Sequence, residues 1–204
     1  GRDTKSNVEC NFGCAHPEGY RKALRMMKLA DKFNLPIITL IDTKGAYAGL
    51  ASEERHIAEA IAVNLRESFN LKVPIICVIV GEGGSGGALG IGIGNRILIL
   101  EHAYYSVISP EGCAAILWKD RAYSDQAAES LKITGKDLIE LGLADQIIPE
   151  PCGGAHTDLT AAASLLKQAI IEQLAELNQK SATVLQEERY QKFRVMGRFD
   201  GSVD

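Results

Sequence analysis

The chain has 204 residues, of which 46% are hydrophobic and 24% are charged, and its formal net charge is −4. This composition is typical of one soluble domain with a sizeable core, whereas the negative charge and the scattering of Lys and Arg among Asp and Glu disfavour nucleic-acid binding. The longest apolar runs are too short and too glycine-rich to span a bilayer, and no charged-then-apolar leader opens the sequence. We therefore expect a protein of the cytosol or of an organelle stroma.

The five cysteines indicate a reducing compartment. They form no Cys-x-x-Cys pair, and Cys77 lies in an apolar strand pattern. Free buried thiols are therefore a better interpretation than a disulfide framework, and we predict no metal site on this chain.

Predicted helices and strands alternate along the chain. Pro17 opens a helix with one apolar face, and Ser52 is the predicted N-cap of a second helix. Ser109 and Pro110 begin another helix, as its N-cap and its first helical residue. The predicted strands are residues 35–42, 73–80, 96–101 and 104–108, and amphipathic helices are predicted at 158–178 and 181–193. Near-continuous apolar strands in such an alternation indicate a largely parallel sheet with helices on its faces.

The most informative feature is a glycine-rich decapeptide, residues 81–90, which directly follows the apolar run 73–80. It predicts a buried strand that ends in a tight turn and opens a helix. Glycine lets the backbone come close to a ligand, and the first N–H groups of a helix have no partner within it and lie at the positive end of its dipole. Such a turn suits an oxygen that carries negative charge.

A dinucleotide-binding fingerprint also matches this turn. The pattern is Gly81-x-Gly83-x-x-Gly86, and Glu101 stands about 20 residues further on, where a ribose-binding acid is expected. However, only about ten residues separate Ser85 from the next predicted strand, which is too short for the full crossover helix of that fold. The spacing therefore disfavours this interpretation.

A nucleophile elbow is the second match, through Gly83-x-Ser85-x-Gly87. Ser85, Asp145 and His156 also occur in the order of an α/β-hydrolase triad. Against a hydrolase, no HGGG-type oxyanion loop precedes the serine, and the histidines stand beside small or polar residues, as surface histidines commonly do.

The third interpretation needs no side-chain nucleophile. The N–H groups of Gly86, Gly87 and Ala88 would donate hydrogen bonds to an oxyanion at the start of the helix. A second loop of small residues, 42–49, follows the preceding strand, and a parallel sheet places both loops at the same carboxyl edge. The sequence therefore predicts a cleft formed by these two loops.

Six motifs occur in order along almost the whole chain: IDTKGAYAG (41–49), EAIA (59–62), GEGGSGGAL (81–89), YSVISPEGCA (105–114), IPEP (148–151) and GGAH (153–156). In these motifs the chain closely resembles the carboxyltransferase alpha subunit of the multi-subunit acetyl-CoA carboxylase of bacteria and plastids. The resemblance implies an α/β crotonase-like (ClpP/crotonase) fold, a spiral of ββα units with C-terminal helices. We expect one such domain over residues 1–204, with a C-terminal helical extension from about residue 158 to residue 204 and without the family's additional N-terminal helical segment.

The resemblance also implies a reaction and its partners. A carboxyl group moves from carboxybiotin, held on a biotin carboxyl carrier protein, to acetyl-CoA and gives malonyl-CoA, in the first committed step of fatty acid synthesis. The alpha subunit pairs with a zinc-bearing beta subunit, as an α2β2 assembly, and acts with biotin carboxylase in an ATP-dependent complex of the bacterial cytoplasm or the plastid stroma. The active site lies between the subunits, and the hole for the thioester enolate comes mainly from the beta subunit.

Site residues follow from the resemblance by position. In families of this kind the biotin ureido oxygen becomes negatively charged as the carboxyl group leaves, and the biotin nitrogen then removes a proton from the acetyl methyl group, so no side-chain base is required. The residues that match the donors to that oxygen are Gly86, Gly87 and Ala88. The other matched residues are Ala46, Tyr47 and Gly49, on the facing wall, and Ser109, Pro110, Glu111 and Gly112, at a helix start near the cleft.

Lys44 is the clearest departure from the family pattern, which usually has proline there; His56-Ile57 also replaces a Gly-Gln or similar pair. Proline would fix φ and stiffen the loop, whereas lysine is flexible and charged. Either this loop is looser or the ammonium group meets a phosphate or a carboxylate.

Three alternatives to a carboxyltransferase remain open. They are a stand-alone acyl-CoA hydratase or decarboxylase, which needs an acidic side chain facing the acyl group, a non-catalytic assembly subunit, and a serine hydrolase.

Overall fold

A computed structural model of the chain describes residues 3–197. Residues 1–2 and 198–204, which the expected domain and its C-terminal extension include, lie outside the described residues. The helices are α1 (Thr4–Glu9), α2 (Pro17–Lys32), α3 (Leu50–Glu53), α4 (Ile57–Asn70), α5 (Ser85–Leu89), α6 (Pro110–Leu117), α7 (Ser124–Leu131), α8 (Gly135–Glu140), α9 (Leu159–Leu177) and α10 (Ala182–Arg194). The strands are β1 (Ile37–Thr43), β2 (Ile75–Gly84), β3 (Arg96–Leu100), β4 (Tyr104–Ser106) and β5 (Gln146–Ile148).

The strands form one five-stranded sheet in which every pairing is parallel. The strand order is β1-β2-β3-β5, and β4 pairs with the end of β2 that extends beyond β3. Ile79 of β2 lies opposite Ile41 on one side and Ile99 on the other. Residues 76–79 are completely buried, as expected for a central strand with helices over both faces. The predicted parallel sheet is confirmed.

The central strand β2 continues past the predicted end at residue 80, because its last residues pair with β4. The ladder between β1 and β2 shifts its register after Ile41, so that Thr43 lies opposite Gly83. Asp42 lies at this register shift, and its carboxylate accepts the N–H of Glu82 at 2.9 Å. Both strands therefore run on to the glycine turn at the same edge of the sheet.

Two predicted elements differ from the structure. The predicted strand 104–108 ends at Ser106, because the Ser106 Oγ donates to the carbonyl of Ile108 and turns the chain. Ser52 is not an N-cap: it is buried inside α3, and its Oγ lies 3.3 Å from the His16 Nδ1. The longer helix α4 begins only after His56, whose left-handed backbone (φ 60°) separates it from α3.

The two C-terminal helices pack on the main core through Ala169 and Leu177 of α9 and Leu185 of α10. α10 also carries Arg189, whose side chain is completely buried and whose pKa burial lowers to about 10. The acceptors of its guanidinium are the carbonyls of Ser68, Leu71 and Val73 and the side-chain oxygen of Asn95. These bonds hold α10 against the segment before β2 and against Asn95, the residue before β3.

Candidate active site

The glycine turn joins β2 directly to α5 at the carboxyl edge of the sheet. β2 ends at Gly84, and Ser85, the first residue of α5, adopts a φ of +58°. L-amino acids rarely occupy this left-handed region, because the Cβ atom crowds the backbone. The predicted strand, turn and helix are confirmed, and the turn is tight enough to require an unusual backbone conformation at a non-glycine residue.

Two of the three predicted donors have free N–H groups. Gly86 and Gly87 are the second and third residues of α5, where N–H groups have no acceptor within the helix, and within residues 3–197 no side chain or loop carbonyl accepts either of them. Ala88 is the fourth helical residue, the position whose N–H faces the carbonyl of the N-cap residue in an α-helix. Its side chain is also 0% exposed. The geometry therefore favours Gly86 and Gly87 over Ala88 as donors, and the role of all three stays a prediction.

The turn and the loop that follows β1 touch through their backbones at Gly84 and Gly87, and both line a groove beside this contact. A Cβ atom at Gly87 would lie 2.2 Å from the N atom of Ala46 and 2.4 Å from the C atom of Gly45. A Cβ atom at Gly84 would lie 2.1 Å from the carbonyl oxygen of Lys44. Glycine at these two positions is what permits such close approach.

The open side of the turn is at Gly86. A Cβ atom there would meet no other atom within 4 Å. A cavity of ≈ 230 Å³ adjoins this position, with largely apolar walls. The residues that line it are Ser85, Gly86, Leu89, Tyr105, Ser106, Val107, Leu138 and Leu143. Leu138 and Leu143, which no local pattern had marked, come from α8 and the segment after it, about 50 residues further along the chain.

A larger groove of ≈ 730 Å³ lies on the other side of Ser85. Its wall includes the predicted residues Ser109, Pro110 and Glu111 at the start of α6. Gly112 instead donates its N–H to the Ser109 Oγ at 3.1 Å, which confirms the predicted N-cap. The groove and the smaller cavity share Ser85 and Val107, so the structure brings the α6 start and the glycine turn together.

The three residues predicted for the facing wall, Ala46, Tyr47 and Gly49, do not all contact the turn. Ala46 supports the turn from behind through its contact with Gly87. The Tyr47 ring packs edge-on to His16, with ring centroids 4.7 Å apart, and covers Gly49 so closely that a Cβ atom there would lie 2.4 Å from Tyr47 Cε1. Tyr47 and Gly49 therefore face the start of α2 rather than the turn.

Acidic side chains surround Lys44, which lines the larger groove. Glu82 and Glu111 line the same groove, and Asp42 lies in a smaller pocket that also includes Lys44. The pKa of Tyr104, also in the groove, is raised by burial and then by these three carboxylates. Within residues 3–197 the Lys44 ammonium has no carboxylate within 4.0 Å. Its charge is therefore not used in a salt bridge of the described residues.

The hydrolase triad is not assembled. The Asp145 carboxylate accepts the N–H of Ile97 at 2.7 Å and pairs with Lys192. Ile97 lies opposite Cys77, near the amino end of β2, whereas Ser85 follows its carboxyl end. At about 3.3 Å per strand residue the separation is on the order of 20 Å. The order of these residues in the sequence therefore does not bring them together.

The dinucleotide interpretation is also wrong. α5 has only five residues, and it leads from β2 to the neighbouring strand β3 without a full crossover helix. The Glu101 carboxylate accepts the N–H of Glu150 at 3.1 Å, so it is engaged away from the turn.

The parallel sheet and the glycine turn correspond to a crotonase-like fold. Its fold matches the MdcD-MdcE hetero-dimer of a Pseudomonas malonate decarboxylase with a TM-score of 0.70 and 19% identity, over 88% of this chain and 72% of that chain. It also matches transcarboxylase 12S with a TM-score of 0.63 and 22% identity, over 78% of this chain and 32% of that chain. The crotonase-like fold that the resemblance implied is confirmed.

Sequence comparison identifies the family. Residues 1–197 match the family described as acetyl co-enzyme A carboxylase carboxyltransferase-like, and the chain belongs to it. It is 61% identical over 200 residues to the acetyl-coenzyme A carboxylase carboxyl transferase subunit alpha of Chlorobium phaeobacteroides, covering 98% of this chain and 60% of that protein. The subunit of the same name from Staphylococcus haemolyticus is 60% identical, with 98% and 63% covered. The chain thus spans about 60% of the length of these curated relatives.

Two other kinds of site are absent from residues 3–197. None of their helices combines the length and the apolar character that a membrane span requires. The same residues contain no group of three or more His, Cys, Asp or Glu side chains that could hold a metal ion.

Proposed function

We propose that the chain acts as the alpha half of a carboxyltransferase, which moves a carboxyl group from carboxybiotin to acetyl-CoA and gives malonyl-CoA. The observation that carries the proposal is the open turn at Gly86, on a chain that belongs to a carboxyltransferase family. The names of relatives that are 57–61% identical support the same reaction.

The surroundings of the turn fit a biotin ring. The N–H groups of Gly86 and Gly87 stand in the first turn of α5, where no side chain or loop carbonyl among residues 3–197 accepts them, and the space next to Gly86 is open. Leu89, Leu138 and Leu143 give the adjoining cavity apolar walls, which suit the hydrocarbon part of the ring. Carboxybiotin, when bound, would supply the carboxyl group and leave negative charge on its ureido oxygen.

The role of this chain would be to bind and stabilise that oxygen. Preorganised N–H donors act where charge develops, and the loss of one such donor costs on the order of 3 kcal/mol in transition-state stabilisation. Tyr104 and Tyr105 border the site, and burial raises the pKa of both, so these phenols stay protonated at neutral pH. The chain therefore acts through backbone dipoles rather than through a phenolate base.

We assign supporting positions to the remaining predicted residues. Ala46 supports the turn through its contact with Gly87, and Ala88 is buried in the helix that follows the turn. Ser109, Pro110 and Glu111 form the wall of the groove through which a carrier arm or an acyl-CoA would reach Ser85 and the turn. Tyr47, Gly49 and Gly112 stabilise the loops on which these residues stand.

The proposed function also implies partners. The name of the relatives, subunit alpha, supports a multi-subunit enzyme. We infer that a zinc-bearing beta subunit completes the site in an α2β2 assembly, and that biotin carboxyl carrier protein and biotin carboxylase supply the carboxylated biotin at the expense of ATP. The complex would act in fatty acid synthesis, in a bacterial cytoplasm or a plastid stroma.

The decisive experiment places a side chain in the open space. Gly86→Val, reconstituted with the beta subunit and supplied with carboxybiotin, should lose malonyl-CoA formation at least about a hundredfold. Because the space is empty, the variant should fold normally, which its melting temperature would show. Ala163→Val places the same isopropyl side chain at an exposed position of α9 and is the control. Near wild-type turnover by a folded Gly86→Val would remove the proposal.

A stand-alone hydratase or decarboxylase needs an acidic group at the acyl site, and Glu82 and Glu111 do line the groove. The two functions are separated by assaying the purified chain alone. Without the beta subunit we expect neither acyl-CoA hydration nor malonyl-CoA formation. Robust hydration by the isolated chain, abolished by Glu82→Gln or Glu111→Gln, would favour the hydratase.

A further inference from the structure

The carbonyl groups of α5 accept hydrogen bonds, whereas the N–H groups at its start are open. The carbonyl of Gly86 accepts the N–H of Gly90 at 2.9 Å, and that of Leu89 accepts the N–H of Gly92 at 2.9 Å. The carbonyl of Gly87 is different, because its partner is a side chain: it accepts the hydroxyl of Tyr20 at 3.0 Å. This bond spans 67 residues and is buried.

Tyr20 is itself held firmly. Only 3% of its surface is exposed, and its ring lies against the far end of the turn, where a Cβ atom at Gly90 would be 2.8 Å from Tyr20 Cε1. Its own carbonyl accepts the side-chain N–H of Asn64, on α4, at 3.1 Å. The packing of α2 against α4 therefore holds the tyrosine, and the tyrosine contacts the turn at Gly87 and at Gly90.

A glycine-rich turn needs such an anchor. Glycine adopts several backbone conformations at little cost, so a turn with glycine at 83, 84, 86 and 87 is not rigid through its sequence alone. The hydrogen bond holds the planar peptide unit that follows Gly87, which restricts rotation about the backbone bonds of Gly87 and so helps to fix the N–H of that same residue. Ala46 closes the opposite side through its contact with Gly87.

We propose that Tyr20 is a positioning residue for carboxyl transfer, which fixes the glycine turn so that its free N–H groups stay aimed at the reacting oxygen. This inference rests on the proposed function. Preorganisation of donors is what gives them their catalytic effect, and small displacements of a site reduce turnover before they reduce binding. Burial also raises the pKa of Tyr20 to about 12, so the hydroxyl remains a donor over the whole working pH range.

Tyr20→Phe tests the proposal, because it removes the hydroxyl and keeps the ring against Gly90. In the reconstituted complex we expect kcat to fall about tenfold, with KM for acetyl-CoA unchanged within about twofold and the shape of the pH profile unchanged. Amide hydrogen exchange at Ala88 should become faster. Ser68→Ala removes another buried bond from hydroxyl to carbonyl, 2.7 Å long and within α4, and should leave kcat unchanged.

Gly90→Ala is a second variant, which keeps the hydroxyl but displaces the ring that carries it, and it should show the same fall in kcat. Wild-type kcat in either folded variant, or an equal fall in Ser68→Ala, would overturn the assignment. The proposed function is judged separately by Gly86→Val. An inactive Gly86→Val beside a fully active Tyr20→Phe would reject the role of Tyr20 alone, whereas an active Gly86→Val would reject the site itself.

Discussion

Two neighbouring glycines of the turn should respond in opposite ways to the same substitution. A Cβ atom at Gly87 would lie 2.2 Å from a backbone atom of Ala46, which cannot rotate away as a side chain could. The turn or the loop must shift, and overpacking of this kind costs about 1–3 kcal/mol. A Cβ atom at Gly86 meets nothing within 4 Å. Replacing a helical glycine by alanine there should gain roughly 0.5–1 kcal/mol.

Melting temperatures measure this difference in stability between the two variants. At roughly 2–4 °C per kcal/mol for a chain of this size, Gly87→Ala should melt about 2–12 °C below the wild type and Gly86→Ala about 1–4 °C above it. Scanning fluorimetry of both variants beside the wild type is sufficient. A Gly87→Ala variant that melts at or above the wild-type temperature would refute the close backbone contact. So would equal melting temperatures for the two variants.

The remaining predictions concern three side chains. Ser85→Ala should keep carboxyltransferase activity within about tenfold of the wild type, and fluorophosphonates should not label the wild type; stoichiometric labelling at Ser85 would favour the hydrolase. Ser85→Gly should raise the free energy of unfolding by about 1 kcal/mol, since a φ of +58° is unfavourable for serine. Lys44→Ala should leave KM for acetyl-CoA and carboxybiotin nearly unchanged at all salt concentrations, and a large, salt-sensitive rise in KM with the same melting temperature would show that its ammonium binds a ligand anion. Arg189→Met removes the donor from three buried backbone carbonyls and should lower the free energy of unfolding in urea by about 3 kcal/mol or more, whereas Arg66→Met, at a 70% exposed side chain, should change it by less than about 0.5 kcal/mol.

Local sequence patterns are enough to predict the elements on which the site is built. A continuous apolar run followed by glycines predicts a buried strand that ends in a tight turn, and β2 and α5 are that strand and helix. Ser109 and Pro110 predict the start of α6 because the side-chain cap and the fixed φ act within a single turn of helix. The parallel sheet also followed from the sequence, since strands buried on both faces lack polar alternation.

Only the tertiary structure decided which side of the turn is open. Gly86 and Gly87 are indistinguishable as residue types, yet one faces empty space and the other touches the backbone of Ala46. The support from Tyr20 and the cavity wall from Leu138 likewise come from segments remote in sequence. Strand register and helix packing determine these contacts, and they involve residues too far apart for any local pattern to record. For the same physical reason, Ser85 and Asp145, which stand in hydrolase order in the sequence, lie at opposite edges of one sheet.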